Sequence, residues 1–299
     1  MITVFGSIGL DLTGTVPRLP KPGETVLGGT FASAPGAKGA NQALAAKRAG
    51  RDVRHICAIG RDAFATQALA LLEAGGVDLT HLKRADAPTA IAMIYVDAQG
   101  ENAIAVLPGA NATLTAADAD AALATMHKGD ILLLQQEITQ AATERALDLA
   151  RERGVVSVLN TAPFLDSTPA LADKASILVA NETEFALLCN GETEPLEGLM
   201  RDWAKAHGQT VIVTLGPEGA RAATAAGEFI SVPALKVTPV DTVGAGDTFT
   251  GYLAAGLDAG LDLGAAMRRA AYAASLACTK PGAQPAIPYD RDVAAALNQ

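Results

Sequence analysis

Short, uninterrupted apolar runs alternate along the chain with longer segments whose apolar positions recur every three or four residues. The runs predict strands at Ile2–Ile8, Val53–Ile59, Ile131–Gln135, Val155–Leu159, Ile177–Ala180 and Val211–Leu215. They are rich in Val, Ile and Leu, and most lack polar alternation. Strands covered on both faces of a parallel sheet read this way. The helical spacing predicts helices at Lys38–Ala49, Ala63–Ala74, Ala116–Met126, Ala141–Arg153 and Leu196–His207. Gly50, Gly75, Gly154 and Gly208 stand where these helices should stop, as C-terminal caps do. Strand–helix alternation with right-handed crossovers predicts an α/β fold, a three-layer αβα sandwich.

Two regions break the rhythm. Pro17–Phe31 is punctuated by Pro and Gly around a strand-like Glu24–Leu27. Ala90–Asp97 and Asn102–Leu107 read as a hairpin turning at Asp97 to Gly100. Neither region has a helix of its own. They predict a small sheet beside the main one, serving either as a lid (segments about 11–34 and 89–107) or as an ordinary edge extension. After Val240 the chain turns helical: Ala245–Ala259, Leu263–Cys278 and a short segment after Asp290.

The chain has 299 residues, 49% hydrophobic and 18% charged, which excludes a disordered protein. That length fits one large α/β domain with an appendage, here read as a single domain over residues 1–299. The net charge of −9 speaks against nucleic acid as a partner. Cys57, Cys189 and Cys278 are far apart, form no CxxC pair and suit a reducing cytoplasm. A basic leader and an apolar stretch of membrane-spanning length are both missing, so a cytoplasmic protein with no membrane contact is expected.

The strongest candidate chemistry is VDTVGAGDTF, Val240–Phe249. Gly244 and Gly246 lead into an apolar helix, whose free N–H groups and dipole make an anion site. Asp247 in the first turn is either a stabilising helix-start charge or a base beside an anion hole. In the second reading the motif describes phosphoryl transfer. The glycines do not make a dinucleotide fingerprint, because Phe249 holds the third glycine position, and the chain contains no Gly-Lys dipeptide for a Walker loop.

In PGAKGANQ, Pro35–Gln42, Lys38 and Asn41 would share one helix face and address a polyhydroxylated ligand, or else be a surface lysine and a helix-start asparagine. Asn181 and Glu184, directly after an apolar strand, suit either a water-rich Mg²⁺ site or a capping box. Glu137 and Asp11 follow strands, at the crevice where α/β sheets bind ligands or as solvated loop acids. Thr214–Gly219, TLGPEG, is a backbone that can approach a nucleotide, or an ordinary turn. His55, His81, His127 and His207 lack metal-ligand spacing. Met200 and Trp203 read as core.

Taken together, PGAKGANQ, DTVGAGDTF, NETE, TLGPEG and the closing TKPGAQPAIP (Thr279–Pro288) resemble the signatures of the ribokinase (PfkB-type) carbohydrate kinases, in order from about residue 2 to 290. The resemblance implies a ribokinase-like sandwich with a β-sheet lid, often shared in a homodimer. It implies ATP-dependent phosphorylation of a sugar hydroxymethyl group. Asp247 matches the catalytic base, and Gly244, Ala245 and Gly246 match the anion hole. Gly9, Asp11, Gly36, Ala37, Lys38, Asn41 and Glu137 match sugar-contact positions. Asn181 and Glu184 match the Mg²⁺ and phosphate motif. Thr214, Leu215, Gly216, Pro217, Glu218 and Gly219 match the nucleotide loop, with Tyr272 near the adenine. Asp241, Val243, Ala277, Lys280, Gly282 and Ala286 match the residues that hold a monovalent cation, usually K⁺, mostly through backbone carbonyls.

Three departures bear on the acceptor. Gly9 stands where ribokinases carry Asn, Ala37 where they carry Gly, and Tyr272 where His or Asn is usual. Gly9 removes a hydrogen-bonding side chain and is expected to leave a gap, which widens the expected acceptors to a deoxy sugar, a ketose or a bulkier molecule. The rival readings are a nucleoside kinase on the same fold, a non-catalytic sugar sensor and, least supported, an NAD-dependent oxidoreductase.

Overall fold

A computed structural model describes residues 1–298. Eight strands form the central sheet in the order Phe229–Val232, Ala220–Ala223, Thr210–Thr214, Ile177–Asn181, Val156–Asn160, Ile131–Leu134, Ile2–Phe5 and Val53–Ile56. The six strands from Thr210–Thr214 to Val53–Ile56 are mutually parallel. The other two extend the sheet as an antiparallel edge. Continuous apolar runs are explained by burial on both faces. Ile131 and Leu133 pack with the helices Lys38–Arg48, Ala245–Asp258 and Leu263–Ala277. Leu132 and Leu134 pack on the opposite side with Ala116–Leu123, Gln140–Arg153 and Leu196–His207. The result is the expected three-layer sandwich with two cores.

Several boundaries differ from the sequence reading. Ile2–Ile8 is not one strand. The chain leaves the central sheet after Phe5 and enters a second sheet at Gly9. Val53–Ile59 likewise divides into Val53–Ile56 and Ala58–Ile59. The helix expected to reach Met126 ends at Leu123. Gly154 and Gly208 adopt the left-handed cap conformation, φ 68° and 64°. Gly75 is right-handed, and Gly76 takes the left-handed turn instead, φ 72°.

The second sheet has four strands in the order Phe31–Gly36, Gly9–Thr15, Ala90–Val96 and Asn102–Leu107. The hairpin is where the sequence put it. Glu24–Leu27 is not a strand: the Glu24 carboxylate accepts the Lys21 N–H and the Arg18 guanidinium, which closes a turn, and Leu27 lies in solvent. The strand is Phe31–Gly36, whose Pro35 is tolerated because the strand is an edge. Gly9 pairs with Ala90 at the base of this sheet. It leaves no gap. A Cβ built there would lie 2.6 Å from the Ala90 carbonyl oxygen, so the space a larger side chain would take is filled by backbone.

Candidate functional site

The parallel strands end together, and the residues just past their carboxyl ends line one crevice, as expected at such a sheet edge. A cavity of about 160 Å³ opens there, lined among others by Lys38, Asn181, Glu184, Thr214, Gly246 and Asp247. Segments far apart in sequence are thus brought together. The helix Ala245–Asp258 begins at this cavity, with Gly244 as its N-cap at φ 75°. Only a glycine fits there, because a Cβ would also press on Ala283 at 2.9 Å. No side chain caps the first turn. The Ala245 N–H turns back to the Thr242 carbonyl at 3.3 Å. Gly246 has nothing within 4 Å of a built Cβ, so it faces open space at the helix start. The uncapped turn and the open face beside it make an anion cradle.

Asp247 is 7% exposed. Its two carboxylate oxygens each accept an amide N–H: Oδ2 from Asn41 Nδ2 at 2.8 Å and Oδ1 from Gln42 Nε2 at 3.0 Å. Asn41 Oδ1 is buried and has no protein partner among the described residues, which leaves an acceptor free for a ligand hydroxyl. Glu137 Oε2 accepts from Ser7 Oγ at 2.6 Å and from the Lys38 backbone N–H at 2.9 Å, which ties the start of the helix Lys38–Arg48 to the sheet.

The Asp11 carboxylate projects from the second sheet toward the same groups. Burial, and then the negative charges of Glu137 and Asp247, push its pKa up to about 6, while Lys38 opposes them. A Cβ on Gly36 would overlap the Asp11 carboxylate, which explains the glycine. Lys38 is itself pulled both ways. Burial works against its charge, but Asp247, Glu137, Glu184 and Asp11 together hold its pKa above the ordinary lysine value. The cluster therefore contains one cation among four acids, three of them (Asp11, Glu137 and Asp247) on the side where PGAKGANQ lies.

Asn181 and Glu184 satisfy both readings at once. They form a capping box, with Asn181 Oδ1 accepting the Glu184 N–H at 2.8 Å and Glu184 Oε2 accepting the Asn181 N–H at 3.1 Å. They also line the cavity. In TLGPEG, Thr214 reaches the cavity, and Gly216 stands in open space at φ 53°. At Gly219 a Cβ would overlap the Val232 carbonyl, so its lack of a side chain serves the packing of two edge strands. Leu215 is buried, and Pro217 and Glu218 lie in an exposed 3₁₀ turn. Tyr272 is half-buried against the core and does not line the cavity.

Asp241 ties two segments together, accepting the Val243 N–H at 3.0 Å and the Gly282 N–H at 2.8 Å. No group of three or more His, Cys, Asp or Glu that could hold a metal ion occurs among the described residues. A cation near Asp241 would therefore rest on one carboxylate and backbone carbonyls.

Ser7, Gln42, Gln135, Asn160 and Thr161 also belong to the site, and the sequence reading passed over them. Thr161 Oγ1 donates to Glu184 Oε2 at 2.7 Å. Gln42 was visible as the last letter of PGAKGANQ, and Asn160 and Gln135 as polar residues closing apolar strands. Nothing local distinguishes such residues from ordinary strand ends.

Comparison with known proteins agrees with this geometry. The family model for pfkB family carbohydrate kinases matches residues 1–290. The chain is 37% identical to a Bacillus subtilis ribokinase over 292 residues, covering 98% of this chain and 97% of that one. It is 32% identical to a Salmonella typhi deoxyribokinase, covering 96% and 95%. The structure of an Arabidopsis thaliana ribokinase complexed with ribose and ATP superposes with a TM-score of 0.89 at 30% identity, covering 100% and 98%.

Proposed function

The chain belongs to the pfkB family of carbohydrate kinases and is an ATP-dependent sugar kinase, and from that premise we propose that it phosphorylates the hydroxymethyl group of ribose or a closely similar pentose, with Asp247 as general base. The observation that carries this reading is the position of Asp247. It is a buried carboxylate in the first turn of a helix with no side-chain cap, at the wall of a cavity.

The sugar hydroxyl gives its proton to Asp247 as its oxygen attacks the γ-phosphorus in line, while the bond from that phosphorus to the β–γ bridging oxygen breaks and ADP leaves. The N–H groups of Gly246 and Asp247, at the positive end of the helix, hold the charge gathering on the phosphoryl oxygens. Lys38 adds a fixed positive charge on the other wall. Asp11, Glu137 and the free Asn41 Oδ1 accept hydroxyl protons from the sugar and orient it. Asn181 and Glu184 form an oxygen-donor set that suits a hydrated magnesium ion, which when bound would neutralise phosphate charge. Asp241 and the carbonyls of Val243, Ala277, Lys280, Gly282 and Ala286 suit a monovalent cation such as K⁺.

The second sheet acts in this reading as a lid over the sugar, and as the contact between two copies of the chain. Phe31, Ile104, Val106 and Leu107 on its strands are exposed large apolar residues, a load unusual for a free surface. Among the described residues no helix is long and apolar enough to cross a membrane. The three cysteines are unpaired, in keeping with a reducing cytoplasm.

The acceptor is tested by ADP release from Mg·ATP with D-ribose, 2-deoxy-D-ribose, D-fructose and a set of nucleosides, each with and without K⁺. This reading expects the pentoses to have the highest kcat/KM and K⁺ to raise it. Preference for a nucleoside would overturn the sugar assignment. A 2-deoxyribose preference is the one narrower reading with its own observation, since Gly9 offers no side chain to a hydroxyl and the Ala90 carbonyl closes its place.

A further inference from the structure

Behind Asp247 lies a chain of amides with no part in the proposed proton transfer. Gln42 is fully buried on the helix Lys38–Arg48, and Gln135 is fully buried just after the strand Ile131–Leu134. Gln135 Nε2 donates to Gln42 Oε1 at 2.6 Å. Gln42 Nε2 donates to Asp247 Oδ1 at 3.0 Å and to Asn160 Oδ1 at 3.3 Å. Asn160 Nδ2 donates in turn to the Val179 carbonyl at 3.1 Å.

The direction of each bond follows from the ends of the chain. The Val179 carbonyl can only accept, so Asn160 must present its oxygen to Gln42. Gln42 then faces two acceptors, Asn160 Oδ1 and Asp247 Oδ1, and must present its nitrogen to both. Its oxygen is left for Gln135, which must donate.

We infer that Gln42 is a positioning residue that fixes the orientation of the Asp247 carboxylate, and that Gln135 fixes the orientation of Gln42. The inference rests on Asp247 being the base. The charged groups of the cluster are Lys38 from the helix Lys38–Arg48, Asp11 from the strand Gly9–Thr15, Glu137 after Ile131–Leu134 and Glu184 from the helix Glu182–Leu188. Gln42 supplies a donor without changing the charge of the cluster. Glutamate has nearly the same shape, but would set an acid against an acid. A glutamate would also face Asn160 Oδ1 without a donor, so both acceptors demand the amide.

The test measures kcat and KM with D-ribose and Mg·ATP for the intact enzyme and for Gln42→Leu, Gln42→Glu, Gln135→Met and Asp247→Asn. Gln42→Leu should lower kcat about tenfold, the scale of one lost hydrogen bond to a charged group, with KM for ribose changed less than about twofold. Gln42→Glu should lower kcat further. Gln135→Met should act in the same direction but less. Because Gln135 Oε1 has no partner among the described residues, this variant loses a single bond and remains a usable test if the Gln42 variants do not fold. An unchanged kcat in Gln42→Leu, a KM for ribose that moves as far as kcat, or a Gln42→Glu enzyme closer to the parent than Gln42→Leu, would overturn the inference. Wild-type turnover by Asp247→Asn would instead overturn the base assignment on which it stands.

Discussion

Asn41 donates from its side-chain amide to Asp247 Oδ2 at 2.8 Å, across 206 residues of sequence. The motifs PGAKGANQ and DTVGAGDTF therefore meet at one carboxylate. The first supplies side chains that grip it, and the second supplies the helix start on which it sits. In the proposed reading this contact joins the sugar site to the phosphate site, so changes in either motif should be felt in the same chemical step.

Gly246 separates stability from turnover. It lies within a helix, and nothing stands within 4 Å of an added Cβ. Gly246→Ala should raise unfolding free energy by about 0.5–1 kcal/mol, from the lower entropy of the unfolded chain and better helix propensity. The added methyl projects toward the space beside the anion cradle, so KM for ATP should rise and kcat should fall by about tenfold or more. Urea unfolding and steady-state kinetics on the same preparation check both signs.

Ala37 should be a strained residue. It holds φ 73° and ψ 140° immediately before the helix Lys38–Arg48, a region that suits glycine. Such a conformation costs on the order of 1–3 kcal/mol, against about 0.5–1 kcal/mol of extra unfolded-state freedom for glycine. Ala37→Gly should therefore stabilise the fold by about 1 kcal/mol, visible as a higher urea midpoint with unchanged slope.

Asp11 gives the enzyme a pH dependence. Its pKa stands at about 6, above the ordinary value of 3.8, from burial first and then from Glu137 and Asp247. As pH falls through about 6 its carboxylate is lost as a hydroxyl acceptor, so KM for ribose should rise. The sign for stability is opposite. The folded state takes up a proton between about pH 6 and 4 that the unfolded state does not, so Asp11 destabilises the fold at pH 7.5 and this cost is partly relieved at pH 5. Asp11→Asn should raise the melting temperature more at pH 7.5 than at pH 5, and should flatten the acid dependence of KM.

Gly9 should not accept a side chain. A Cβ would stand 2.6 Å from the Ala90 carbonyl oxygen. Gly9→Asn should destabilise the fold by about 1–3 kcal/mol, as overpacking does, and should not by itself improve ribose use. A stable Gly9→Asn enzyme with a lower KM for ribose would show that the strand Ala90–Val96 yields easily.

The core of this fold is legible in the chain because burial on both faces leaves a crude mark. Ile131 to Leu134 is apolar without interruption since its odd and even residues enter different cores. The edge strand Phe31–Gly36 is not legible. Its Ala, Ser, Pro and Gly carry almost no periodic signal, while the exposed Glu24–Leu27 mimics a strand. The antiparallel pair Ala220–Ala223 and Phe229–Val232 escapes because each strand is only four residues long. In the site, Asp247 and Lys38 stand out because glycines frame them. Gln42, Gln135 and Asn160 do not, because their meaning lies in bonds between three elements that only the folded chain brings together. Gly9 reads in the sequence as an absence, and only the register with Ala90 turns it into a contact.

The most direct measurement is single-turnover phosphoryl transfer by Asp247→Asn with D-ribose and Mg·ATP prebound, alongside the affinity for ribose. The expected result is a rate lower by about two orders of magnitude or more, with ribose affinity within a few-fold of the parent, because a general base is lost and the surrounding contacts remain. A transfer rate equal to that of the parent enzyme would contradict the account.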